Sequence, residues 1–121
     1  MGRPVVHFEI NSKDAPVLRS FYRDTFGWEI GEPAAGAPDA YTIVTTGVPG
    51  AISGGISGAR DGCGGYVTFY VGVTDMRNAF ATIEELGGTK LTDPERVPGG
   101  PVTGYFKDPG GHVVGLVEIP E

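Results

Sequence analysis

The chain has 121 residues, enough for one domain and no more. Hydrophobic residues make up 40% and charged residues 20%, ordinary globular usage, and no apolar stretch approaches the roughly 18 residues of a membrane span. A net charge of −6 withholds the basic footprint on which nucleic-acid binding draws, so neither nucleic acid nor membrane is expected as a partner.

The opening, MGRPVVHFEI, lacks the charged start, long apolar run and cleavage site of a secretory signal, which predicts a cytoplasmic protein. It passes directly into an alternating strand, Val5 to Ile10. A loop follows, and Asp14 suits a helix start because its carboxylate can accept backbone N–H groups and oppose the positive end of the dipole. Pro16 strengthens that start. The helix should run to about Thr25 with Val17, Leu18, Phe21 and Tyr22 on its apolar face, and Gly27 should close it. Next come a strand near Trp28, a turn-rich stretch, and two strands joined by glycine turns, Tyr41 to Thr45 and Ala51 to Ile56.

The plan then repeats. YVTFYVGVTDMRNAFATIEELGGTKL lays against VVHFEINSKDAPVLRSFYRDTFGWEI with Thr68 opposite His7, Asp75 opposite Asp14, and Gly87 opposite Gly27 after a one-residue slip. A strand from Tyr66 to Val71 leads to a helix ending near Leu86, with Met76, Phe80, Ile83 and Leu86 on one face. Strands near Thr89, from Val102 to Lys107 and from His112 to Ile119 complete the copy. Each unit of about 55 residues has one helix for one sheet face, so the second copy is the simplest partner for the other face. The expected architecture is α+β: two tandem βαβββ modules, residues 4–58 and 64–119, whose sheets curl around a cleft. The polar, glycine-rich residues between them suit a connector. The 21 glycines, well above the usual frequency of about 7%, punctuate strands.

A lone cysteine, Cys63, cannot close an internal disulfide, and with two histidines, His7 and His112, a Cys/His zinc site lacks ligands. Cys63 reads as an incidental thiol in an exposed loop. His112 follows a glycine turn and is expected in solvent. On the first strand, alternation puts Phe8 and Ile10 under the helix and turns His7 and Glu9 to the cleft. An imidazole and a carboxylate two residues apart could form an acid/base pair, hold a ligand, or satisfy each other or Thr68. Thr68, Tyr70 and Tyr66 should face the cleft from the matching strand, with Val67, Phe69 and Val71 packed behind. Of Tyr105 and Phe106, which alternate, Tyr105 is assigned to the cleft. Tyr22 and Trp28 either present aromatic edges to a ligand or belong to the core.

Three phrases, VHFEI with FYRDTFGW, YVTFYVGVTD with EELGG, and FKDPGGHVVGLVE, make the chain resemble the vicinal oxygen chelate superfamily of glyoxalase I, bleomycin-resistance proteins and extradiol dioxygenases. The resemblance implies paired βαβββ modules, often a homodimer, and in metal-dependent members a divalent ion held by one residue from the first and last strand of each module. Those positions fall here on His7, on Thr68, on Gly54 or Gly55, and on Gly115, so only His7 carries a ligand side chain. Glu118 should point to the face opposite Gly115. The expectation is therefore no cofactor, with a divalent metal as the alternative, and extra room where the carboxylates are missing. The chain is read as a small-organic-molecule binder using His7, Glu9, Trp28, Thr68, Tyr70 and Tyr105. The alternative is a lyase, isomerase or epimerase in which Glu9 or His7 removes a proton alpha to a carbonyl.

Overall fold

The computed structural model describes residues 2–59 and 65–121, and Cys63 lies outside the described residues. The chain divides into two compact units, one of residues His7–Val67 and one of Met1–Val6 with Thr68–Glu121. Both mix helix and strand, as an α+β reading requires.

The first of these units contains β1 (Val5–Ser12), most of which it holds, α1 (Ala15–Phe26), β2 (Glu29–Ile30), β3 (Thr42–Thr45) and β4 (Ser53–Gly58). Its strands lie in the order β2-β3-β4-β1, with β1 and β4 parallel and the other pairs antiparallel. Asp14 caps α1 by accepting from the Val17 amide, and Gly27 closes it in the left-handed region at φ 69°. The helix buries Ala15 and Arg19 and packs Leu18 and Tyr22 beside them, a stripe at helical spacing. Val17 and Phe21, expected on the apolar face, are 63% and 55% exposed. The stripe is rotated from the expected one because a buried arginine occupies one of its positions. The core is Ile10, Ala15, Ile30, Val44 and Ile56, with Phe8, Tyr22 and Trp28 against it.

The sequence SGGISG has little strand propensity, yet β4 is central in this unit. Its glycines are required by their neighbours. A Cβ on Gly54 would meet the ring of Phe8, and one on Gly55 the ring of Tyr41.

The other unit contains β5 (Tyr66–Val73), apart from its first two residues, α2 (Met76–Glu85), β6 (Thr89–Lys90), β7 (Glu95–Arg96), β8 (Val102–Lys107) and β9 (Val113–Glu118). Its order is β5-β9-β8-β6, with β7 also paired to β8. The short β7 was not expected. Asp75 caps α2 by accepting from the Asn78 amide at 3.1 Å. Glu118 reaches the same helix start, its Oε2 accepting from the Met76 amide at 3.5 Å, on the face away from Gly115 as alternation requires. Val73, Met76, Phe80 and Leu116 form the core, and the Phe80 ring lies where a Cβ on Gly104 would stand. Val67 and Phe69, expected behind β5, are 74% and 44% exposed. Leu86, past the end of α2, is also exposed.

Candidate functional site

Period-2 alternation on β1 sends Phe8 and Ile10 to the α1 side and His7, Glu9 and Asn11 to the opposite face. Each of these three polar side chains is partnered. His7 Nε2 shares a hydrogen bond of 2.5 Å with the Tyr41 hydroxyl, and the two rings stack at 6.4 Å. Glu9, 3% exposed, accepts from the Tyr66 hydroxyl at 2.5 Å. Asn11 Nδ2 donates to Ser57 Oγ at 2.9 Å and to the Gly58 carbonyl at 3.1 Å. Burial pushes the pKa of His7 below the ordinary imidazole value, and the Glu9 carboxylate opposes that shift without cancelling it. The imidazole is therefore neutral near pH 7, with one nitrogen to donate and one to accept.

The β1–β4 register resolves the choice left open by the sequence. Glu9 pairs with Gly55 and Phe8 with Gly54, so Gly55 shares the His7 face and Gly54 faces the α1 core.

In the other unit, Thr68 Oγ1 donates to the Val113 carbonyl at 2.7 Å. Tyr70 and Tyr105 flank Gly115, one on each neighbouring strand, and their hydroxyls hydrogen-bond to each other. Thr68, Tyr70 and Tyr105 thus share one face of this unit, and Phe106 packs towards the core on the other. A cavity of about 340 Å³ opens on that other side, beside α2, lined among others by Arg3, Val71, Asp75, Ile83 and Leu116. None of the six residues expected to contact ligand lines it.

Trp28 is not brought to His7. It stacks on Tyr22 with ring centroids 5.0 Å apart and 5° between planes, and lies 5.5 Å from Phe26 and 5.6 Å from Phe8. That is the α1 side of the sheet. His112 is 77% exposed and pairs with Asp108, whose carboxylate also accepts the Gly110 and His112 amides and is held below its ordinary pKa chiefly by the His112 amide.

The positions at which the family holds a divalent ion carry few donor side chains here. In one unit the family positions are His7, already bonded to Tyr41, and Gly55. In the other they are Thr68, whose hydroxyl is given to a carbonyl, and Gly115. Among the described residues no three His, Cys, Asp or Glu side chains come together. The room expected at the two glycines is not there either. The Tyr41 ring fills the space at Gly55 and the Tyr70 ring the space at Gly115.

Tyr41 and Arg19 were missed by sequence reasoning. Tyr41 falls in an expected strand with no role of its own, because the pairing that sets Gly55 opposite Glu9 and makes room for its ring is visible only in the structure. Arg19 carries no signal either, since an arginine on an amphipathic helix is ordinarily on its wet face.

The chain is 29% identical over 116 residues to a glyoxylase-like domain-containing protein of Didymella fabae, covering 93% of this chain and 91% of the relative. Its fold matches methylmalonyl-CoA epimerase from Mycobacterium tuberculosis at a TM-score of 0.66 and 17% identity, covering 97% of this chain and 88% of the other. It also matches a glyoxalase/bleomycin resistance protein/dioxygenase superfamily member from Vibrio splendidus 12B01, at a TM-score of 0.66 and 18% identity over 98% and 100% of the two chains. Among the described residues no helix is long and apolar enough to cross a membrane. A family model matches residues 5–116, and the chain belongs to the Glyoxalase/Bleomycin resistance protein/Dioxygenase superfamily.

Proposed function

We propose that the protein binds a small organic molecule on the face carrying His7, Glu9 and Tyr41, without a divalent metal. The observation that carries this reading is the Tyr41 ring standing at Gly55 with its hydroxyl on His7. Of the four family metal positions, His7 alone carries a ligand side chain and it is engaged by a phenol, while the exposed Tyr41 ring beside it gives an aromatic ligand a surface to stack on.

The test is calorimetric titration of chelator-treated protein with metal-free bleomycin and a set of polycyclic aromatic antibiotics, with mass spectrometry of the ligand afterwards. Saturable binding without metal, weakened in Tyr41→Ala and leaving the ligand chemically unchanged, supports the reading. Binding that requires added nickel, zinc, iron or manganese, or stoichiometric retention of one of them through purification without chelators, overturns it. The reading includes a cytoplasmic homodimer, which sedimentation velocity would detect as a doubled mass.

A second reading rests on the depressed pKa of His7. A neutral imidazole beside a buried carboxylate can take up a proton alpha to a carbonyl, as a lyase, isomerase or epimerase needs. The likeness to the mycobacterial methylmalonyl-CoA epimerase is one of fold and adds no residue to this case. Glu9→Gln should then cut turnover by about 10²-fold or more with folding intact. Unchanged turnover would remove Glu9 from the mechanism.

A further inference from the structure

Arg19 is 3% exposed, and neither reading above uses its charge. Its Nε donates to Thr42 Oγ1 at 2.9 Å, Nη1 to the Pro38 carbonyl at 2.8 Å and Nη2 to the Ala40 carbonyl at 2.7 Å. All three acceptors are uncharged, and among the described residues no carboxylate forms an ion pair with it. Burying a guanidinium without a counter-ion is unfavourable, and a leucine or methionine would complete the α1 stripe without that cost. The planar fork does what no apolar side chain can: it ties alternate residues 38, 40 and 42 to one rigid group.

Tyr41 lies between two of those tied residues. The Thr42 side chain, 6% exposed, points towards α1 and meets Arg19 there. Tyr41 therefore emerges on the opposite face, where its ring covers Gly55 and its hydroxyl meets His7. With the backbone held on both sides of Tyr41, the ring has a fixed origin.

We propose that Arg19 is a positioning residue of the candidate site, gripping residues 38–42 from the α1 side so that Tyr41 is set against His7 on the other. The inference rests on reading the His7 face as the ligand face. A lysine keeps the charge but places a single point donor where the fork serves three acceptors, so Arg19→Lys should loosen the segment without removing the charge.

The experiment is an NMR titration of the His7 ring nitrogens in ligand-free protein, comparing wild type with Arg19→Lys, Arg19→Met, Tyr41→Ala and Arg19→Lys/Tyr41→Ala. Releasing Tyr41 opens His7 to water and relieves the burial that holds its pKa down. Both Arg19 variants should therefore move the His7 midpoint upward, in the direction set by Tyr41→Ala, and the double variant should move it no further than Tyr41→Ala alone. If Arg19→Met fails to fold, Arg19→Lys decides. Folded Arg19→Lys with His7 titrating as in wild type overturns the proposal, as does a double variant whose shift is the sum of the two singles. Because no ligand is present, failure of the ligand titrations leaves this result standing, and failure here leaves those titrations standing.

Discussion

Replacing Gly115 with alanine tests whether the tyrosine rings own the space at the glycine positions. A Cβ built there would lie 2.5 Å from Tyr70 Cδ2, 2.6 Å from Cε2 and 2.7 Å from Cγ. Ordinary contact begins near 3.4 Å, so the ring must retreat by close to an ångström. Tyr70 is 6% exposed and its hydroxyl is bonded to Tyr105, which leaves it nowhere easy to go. Overpacking of this kind costs about 1–3 kcal/mol, and loss of the tyrosine pair adds about 1 kcal/mol. Against this, alanine restricts the unfolded chain and returns about 0.4–1 kcal/mol. The net destabilisation should be about 1–3 kcal/mol, read by urea unfolding at 25 °C, with Tm lowered by roughly 4 °C per kcal/mol for a chain of this size. The decisive arm is a double-mutant cycle. In a Tyr70→Ala background, itself costing about 3 kcal/mol, the Gly115 substitution should become neutral or stabilising. A neutral Gly115→Ala in wild type, or an undiminished cost once the ring is gone, refutes the steric argument. At Gly55 the outcome should differ, because Tyr41 is 44% exposed and can swing into solvent. There, alanine should cost less stability and weaken the contact to His7 more.

Further predictions concern charge and helix ends. His7 has its pKa lowered in the folded protein, so the unfolded chain binds more protons; its contribution is full above the ordinary imidazole pKa and is lost as pH falls through the folded value. Urea midpoints of wild type and His7→Gln between about pH 5 and 8 should therefore converge towards acid, and parallel curves would contradict the burial of the ring. Asp75→Ala removes the cap of α2 and should cost about 1 kcal/mol by urea unfolding; a change near zero would mean that Glu118 alone suffices to hold the helix start. Asp108 has a lowered pKa, so what it contributes is present above its unfolded value and lost as pH falls through the folded one. Asp108→Ala should speed hydrogen exchange at the Gly110 and His112 amides, and unaltered exchange there would show that the turn holds without it.

Much of the fold was legible because its signals are local. The Asp14 and Asp75 caps, the glycine after α1 and the alternation on β1 each act within a few residues, and the structure follows them closely. The face of β1 that carries His7 and Glu9 was legible for the same reason. What the sequence concealed depends on residues far apart in the chain. Tyr41 meets His7 across 34 positions and Tyr66 meets Glu9 across 57, and no local pattern reports such pairings. The missing carboxylates suggested empty space only because a glycine's vacancy is visible in sequence while the ring that fills it is not. Arg19 was hidden for a chemical reason: amphipathic patterning counts it as polar, whereas its partners are backbone carbonyls that any sequence possesses.

The stack of Trp28 on Tyr22 has an experimental consequence. Trp28 is the only tryptophan in the chain, and it belongs to the unit of residues 7–67. Its fluorescence therefore reports the loosening of α1 from its strands. Far-ultraviolet circular dichroism sums both helices. Followed together through one denaturant series, the two optical signals form a ready-made cooperativity assay: coincident curves mean that the units melt as one, and separated curves mean that one yields first.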